Sequence, residues 1–429
     1  MTPRLFRAPL LLAFPLALLV GACSEQLDSA ATCPVLCPGQ ELDIVDTVLE
    51  AAVSFDTTLT GFPFLGTESP MLLASRGDTL ETRVIIRFDT LPRTWAPVGD
   101  TARPITYVDS AAVLLQLLRT GVALPASSVV EVYDVTDTTA VDSIPAQLLP
   151  RFTAGNLLGS LTVDSTGFRD SLNIKVPLDT AKFHAVVADT GRPLRLGVRI
   201  RAASSVAVQV RASESGLSGP SLRFRVSPDT AVAVRAARPY SSTPRSPDGL
   251  STEYGDYTLV ARAPTTEATG RFVIGGVPGR RAYVRFNLPR WLTDSVAVLS
   301  AKLELRQDPL LALDPATRFV IRGQVVIAAN ALTDLSRASR LLSPVGTFIS
   351  DSLRVAPGDS GVVRLEMNGA IRTWRTVNGA RPVQSAIVLR PDVDGTTAAA
   401  ARFYGAGAAP ALRPRLRVSY VPSIRYGRP

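Results

Sequence analysis

Short runs in which apolar and polar residues alternate recur through this chain, and they limit its fold more than any other feature. Val84, Ile86 and Phe88 alternate with Ile85 and Arg87, and Leu194, Leu196, Val198 and Ile200 with Arg195, Gly197, Arg199 and Arg201. The same period holds for Val284, Phe286 and Leu288, for Ala301, Leu303 and Leu305, and for Leu416, Val418 and Tyr420. A period of two places successive side chains on opposite faces of a strand, so each run predicts one buried and one wetted face. Gly, Pro, Asp, Ser and Thr separate the runs, as expected for antiparallel sheets joined by turns. Helical signals are few. Asn330 to Leu342, with Thr333 or Asp334 as cap, reads as a short helix or a loop with one turn.

The runs repeat on a long period. Ile85-Ile86-Arg87-Phe88 matches Tyr283-Val284-Arg285-Phe286, and Ser110 to Leu115 matches Ser300 to Leu305. Val198 and Ile200 fall on Ile387 and Leu389, and Pro220-Ser221-Leu222-Arg223 on Pro414-Arg415-Leu416-Arg417. The order never changes, as two copies of one domain require. The expected organisation is a β-sandwich domain over 44–228, a linker over 229–254 and a second β-sandwich domain over 255–422.

The second copy resembles the DNRLRE (disaggregatase-related) domains. Arg281 to Leu288 is similar to that family's "YLRFDLS" strand, and Val298 to Leu305 to its "I-x-S-A-x-L-x-L" strand. Leu365 to Asn368 with Ala370 to Trp374 resembles the "V-T-x-x-V-x-x-W" segment, and Arg413 to Tyr420 the closing "R-P-x-L-x-V-x-Y" strand. The first copy departs from the pattern: Ala185 stands where Trp374 stands in the second, and its end lacks the Tyr. The resemblance implies two tandem antiparallel jelly-roll sandwiches, an all-β chain of a kind found on secreted proteins. Some relatives are carbohydrate-binding modules for acidic polysaccharides.

The first residues carry an address. Arg4 and Arg7 precede an apolar run from Ala8 to Val20, and Gly21 and Ala22 precede Cys23, the order of an export signal. Val20-Gly21-Ala22-Cys23 closely resembles the lipobox of bacterial lipoproteins. That resemblance implies removal of residues 1–22, a lipid on Cys23 and a mature chain held at the cell envelope, with the outer membrane favoured by Ser24. Residues 23–43 are polar and without periodicity and read as a tether. Apart from Cys23 only Cys33 and Cys37 remain. In an oxidising compartment this pair reads as a disulfide closing a small loop, with free thiols as the other reading.

The formal charge is +9, carried almost wholly by arginine, because only Lys175, Lys182 and Lys302 are lysines. The arginines are scattered, which fits solvated strand faces better than a concentrated anion-binding surface. No nucleic-acid motif is present. His184 is the only histidine, which excludes zinc sites built on paired histidines and leaves a Ser/His/Asp triad one candidate base. Gly358-Asp359-Ser360-Gly361 superficially resembles the nucleophile loop of trypsin-like proteases, but Asp170-Ser171 holds the matching place in the first copy, so both read as turns. Asp392 and Asp394, in Asp392-Val393-Asp394-Gly395, are a weak calcium candidate against a plain Asp-Gly turn. No cofactor is expected.

Sugar recognition uses aromatic faces beside polar and charged groups. The candidates are Tyr283, outward by the alternation, and Tyr404, with Arg285, Arg306 and Arg402 to pair with glycan carboxylates. Trp374 and Tyr420 read as core. The expectation is therefore a non-catalytic envelope protein that binds an acidic polysaccharide or acts in adhesion. The alternatives are a spacer or protein-docking lipoprotein whose partners are other envelope proteins, and, least, a carboxylate-based enzyme on polysaccharides.

Overall fold

A computed structural model describes residues 44–88, 91, 94–95, 101–120, 124–137, 139, 144–166, 168–188, 193–226, 235–237, 254–265, 268–311, 316–326, 348–375 and 385–422. The signal segment, Cys23, Cys33, Cys37 and the segment from Asn330 to Leu342 lie outside these residues. Residues from Val45 onward form one compact unit. No helix among the described residues is long and apolar enough to cross a membrane.

The chain opens with strands β1 (Val45–Leu49) and β2 (Val53–Phe62). Next come β3 (Met71–Arg76), β4 (Leu80–Phe88), the short pair β5 (Thr94–Trp95) and β6 (Arg103–Pro104), and β7 (Val108–Arg119). Then follow β8 (Val129–Asp134), β9 (Leu157–Thr162), β10 (Ser171–Leu178), helix α1 (Thr180–Ala188), β11 (Leu194–Arg201), β12 (Val206–Val210) and β13 (Ser221–Val226). A second pair, β14 (Arg235–Ala237) and β15 (Asp256–Arg262), precedes β16 (Arg271–Gly275), β17 (Gly279–Phe286), α2 (Arg290–Asp294) and β18 (Val296–Asp308). The chain closes with β19 (Phe319–Val325), β20 (Phe348–Val355), β21 (Gly361–Glu366), α3 (Asn368–Thr373), β22 (Ala386–Pro391), β23 (Ala400–Tyr404) and β24 (Arg415–Pro422).

The class is all-β, as the alternation implies, and the two copies share one pairing scheme. Strand β7 pairs with β10, β12 and β13, and its counterpart β18 with β21, β23 and β24. Likewise β4 pairs with β11, which pairs with β8 and then β9, while β17 pairs with β22, then β19 and β20. Each copy has its own core. One centres on Val84, Ile86, Val113, Leu115, Phe183, Val198 and Phe224, the other on Phe272, Val284, Leu303, Leu305, Trp374, Ile387 and Leu416. Trp374 is fully buried 5.3 Å from Phe286, in the core where its apolar frame in the sequence places it.

Two features depart from the expected pair of self-contained sandwiches. The first is that the copies exchange their leading strands. β1 pairs with β24 and β2 with β17, so residues 45–62 belong to the sheets of the second body. In return β14 pairs with β13 and β15 with β4, so 235–237 and 256–262 belong to the first. The boundaries 44–228 and 255–422 therefore do not coincide with sheet membership, and part of the expected linker is strand. Backbone donors left on the edges of β4, β13, β17 and β24 are costly unless paired, and here each leading pair satisfies the other copy.

The second departure is in the first body. There β3 and β4 are hydrogen-bonded neighbours (Ala74 opposite Thr82), and eleven strands, all but the short pair β5 and β6, form one sheet. Its far ends meet where Asp179 N–H donates to Leu158 O at 2.7 Å, giving a nearly closed, barrel-like wall. In the second body β16 and β17 do not pair, and six- and five-stranded sheets face each other as a sandwich. The connection explains the difference. Gly275 and Gly276, at φ 90° and 82°, bend β16 away, and Pro278 has no N–H to offer a neighbour. The bodies touch through Leu72, Ala74, Leu80 and Ala207 against Val277 and Ala398, beside a bond from Gln209 Nε2 to Thr396 O at 2.9 Å.

Two outcomes follow. Deleting residues 45–62 removes an edge strand from both sheets of the second body and none from the first. Hydrogen exchange is expected to accelerate over 271–422 and stay near wild type over the 71–226 core. Trp374→Ala is expected to cost about 3–5 kcal/mol in denaturant unfolding, from lost burial plus the cavity it leaves.

Candidate functional site

Tyr283 does point away from the sandwich core, but it is buried. Leu59 of the exchanged β2, with Val326, Ala386 and Val388, covers that outer face. The expectation of an exposed ring is thus corrected: β17 is flanked by strands on both sides, and apolar neighbours close over it. Burial also raises the Tyr283 phenol pKa. Arg285, two residues on, is half-exposed, with its guanidinium 5.2 Å from the centre of the Phe55 ring.

Tyr404 and Arg402 lie on the outer face of the other sheet, as does Arg306 by the alternation of β18. The structure brings the first two together around Asp308. Arg271 Nε donates to Asp308 Oδ2 at 2.6 Å, and Arg402 Nε lies 2.7 Å from the same oxygen. The Arg271 guanidinium sits over the Tyr404 ring at 4.7 Å. Arg402 is thus held by a carboxylate rather than left open to a ligand. This pattern recurs on the strand faces. Glu304 takes Arg364 at 2.9 Å and Arg417 at 3.3 Å, and Glu81 takes Arg83 at 2.7 Å and Arg199 at 3.0 Å. The scattered arginines are largely partners of the chain's own acids.

The calcium candidate is corrected on the same ground. Asp394 is buried and receives Arg281 Nη2 at 2.6 Å, while Asp392 receives Arg322 Nε at 2.5 Å. Gly395, at φ 67°, turns the chain there. No cluster of three or more His, Cys, Asp or Glu able to hold a metal occurs among the described residues. Asp359 also serves a turn, its Oδ2 accepting Ala356 N–H at 2.8 Å. His184, on α1, has a buried Nε2 without a hydrogen-bond partner, and the Tyr107 ring lies 6.4 Å away.

One concavity carried no signal in the sequence. It is a groove of about 860 Å³ in the second body, between the exchanged strand β2 and the edge strand β16. Ser54, Phe55, Asp56, Thr57 and Thr58 form one wall; Ala268, Thr269, Gly270, Arg271 and Val273 form the other, with Ala406 and Gly407 at its end. Thr58 Oγ1 accepts Val273 N–H at 3.0 Å and ties the walls. Asp56 Oδ2 accepts Ala406 N–H at 2.5 Å, and burial raises the Asp56 pKa despite that bond. A side chain at Gly405 would run into this carboxylate. Phe55 is 38% exposed at the rim, on the outer face of β2, where its ring lies edge-on to Tyr283 with centres 6.2 Å apart and beneath the Arg285 guanidinium. No local pattern marks such a groove, because its walls come from strands more than 200 residues apart.

The first body shows the same framework with other side chains. Leu72 N–H donates to Thr258 Oγ1 at 3.1 Å, matching Val273 and Thr58. Asp256 matches Asp56 and accepts Ser213 N–H at 2.8 Å and Ser213 Oγ–H at 2.9 Å. Beside it Glu68 is buried and accepts Thr258 N–H at 3.2 Å. Burial pushes Glu68 up to about 8 and Asp256 up to about 7, the latter helped by the charge of Glu214.

No family model matches the chain, and no curated protein matches it. Among solved structures, the tandem CBM22-1–CBM22-2 domain of Paenibacillus barcinonensis Xyn10C overlaps 87% of this chain and all of its own, at 8% identity and a TM-score of 0.17. The infectious bursal disease virus Gx strain structure overlaps 89% of this chain and 78% of its own, at 8% identity and a TM-score of 0.16. Overlaps at this level transfer neither a fold nor a function.

A pH dependence follows from the buried acids. A carboxyl whose pKa is higher folded than unfolded holds more protons in the folded state, so stability falls as pH rises between the two values. For Glu68 that window runs from 4.5 to about 8, and for Asp256 from 3.8 to about 7. The first body is expected to melt at lower temperature at pH 8 than at pH 5. Glu68→Gln is expected to flatten that slope, as read by calorimetry.

Proposed function

We propose that the chain is a non-catalytic cell-envelope protein, held by lipid on Cys23, whose second body binds a polysaccharide along the groove between β2 and β16. The observation that carries this reading is the groove itself. It is open and polar-walled, lined by Ser54, Thr57, Thr58 and Thr269, the Asp56 carboxylate and Arg271, with Phe55 at its rim. An amphipathic ring packs on sugar C–H faces while hydroxyls and charged groups take the sugar oxygens. Arg285, its guanidinium 5.2 Å from the centre of the Phe55 ring and without a carboxylate partner among the described residues, supplies a cation beside the groove and favours an acidic glycan. The lipid anchor rests on the Val20-Gly21-Ala22-Cys23 motif. Several acyl chains together hold a soluble body firmly, since each buried methylene contributes roughly 0.8 kcal/mol.

Affinity electrophoresis tests the binding. Gels containing polygalacturonate, alginate or hyaluronan are expected to retard the chain, and Arg285→Ala to reduce the retardation. Unchanged migration in all acidic gels and in neutral xylan and β-glucan gels would remove the reading.

A further inference from the structure

The chain carries an internal comparison for its own groove. The copies are aligned by register rather than by guess: Asp256 lies opposite Ile86 as Asp56 lies opposite Val284, and Leu72 and Val273 donate to matching threonines. Counting from these anchors, Tyr254 of the first body corresponds to Ser54 of the second, and Ser213 to Ala406. Glu214 corresponds to Gly407, and Glu68 to Thr269.

The first body thus carries a ring, a hydroxyl and two carboxyls at positions where the groove has small side chains. Each of the larger groups has a defined job. The Tyr254 ring packs on Tyr257, with centres 6.0 Å apart, and over Gly66. Ser213 Oγ donates to Asp256 Oδ1, and Glu68 Oε1 accepts Thr258 N–H. In the second body Asp56 Oδ2 still takes a backbone N–H, from Ala406, but Ala406 has no hydroxyl for Oδ1. Thr58 lies opposite Ala282 as Thr258 lies opposite Val84, so its N–H is turned toward the groove in the same way.

We infer that this part of the groove is a subsite for one pyranose ring, and that Tyr254, Ser213 and Glu68 fill the matching place in the first body with the chain's own atoms. A sugar hydroxyl donates to Asp56 Oδ1, replacing the Ser213 hydroxyl. A sugar oxygen accepts the Thr58 N–H, replacing the Glu68 carboxyl. The first body is then closed to ligand, and one chain binds one glycan segment. This rests on the polysaccharide reading above and sharpens it to a place and a stoichiometry.

The test is isothermal titration of the full chain with hexasaccharides of galacturonate, mannuronate and hyaluronan. Gly407→Glu restores the first body's residue; a Cβ there meets only Gly270 Cα, at 3.5 Å. Ser54→Tyr is an independent second filling. Each variant is expected to weaken binding at least tenfold with its melting temperature unchanged, and Arg306→Ala, on the far sheet face, to bind as wild type. A stoichiometry near one is expected throughout. If wild type binds and both filled variants bind equally well, or if Arg306→Ala or Arg402→Ala alone abolishes binding, the subsite is wrong while glycan binding stands. If wild type binds none of the three, the proposed function fails first, and the subsite with it.

Discussion

The backbone hydrogen bonding of two exchanged strand pairs organises the rest of this molecule. Without β1 and β2 the second body would expose the edges of β24 and β17; without β14 and β15 the first would expose those of β13 and β4. Open edges recruit other chains. Each copy closes the other's edges, so neither half is complete from a continuous stretch of sequence. The exchange also makes the chain fold late. Strand β1 waits for β24, at the other end of the described residues, and such distant pairings are slow to form.

The groove is a product of the same exchange. Its floor contact, Thr58 to Val273, and its half-buried acid, Asp56 on Ala406, join a strand from the start of the chain to segments from its second half. The matching contacts at Thr258 and Asp256 show that the framework belongs to the repeat rather than to one copy. Divergence then acted on side chains. Large polar residues seal the first body, and small ones leave the second open.

Much of the local structure was legible in the sequence. Alternation in Val84 to Phe88, Leu194 to Arg201 and Ala301 to Arg306 marks real strands, since the buried face of a strand is a local property. The turns at Asp359 and Asp394 were also readable, because Asp beside Gly serves turns for local reasons. Pairing partners were not. A period of two says which way a side chain points, not what covers it, and for that reason Tyr283 was expected on the surface and is buried under Leu59. The exchange left no local trace either: β2 and β15 would present the same alternation whichever copy they joined. The pairing of Arg402 was hidden for a different reason, since sequence distance conceals that Asp308 holds both it and Arg271.

Cross-linking in a chain whose native cysteines are replaced by serine tests the exchange most directly. Asp46 lies opposite Ser419 in the β1–β24 pair; in an unexchanged arrangement it would lie opposite Arg225, the register equivalent on β13. With Asp46→Cys and Ser419→Cys together, oxidation is expected to give an intramolecular disulfide in monomeric protein. With Asp46→Cys and Arg225→Cys none is expected. A disulfide in the second pair and none in the first would contradict the exchange and the groove built on it.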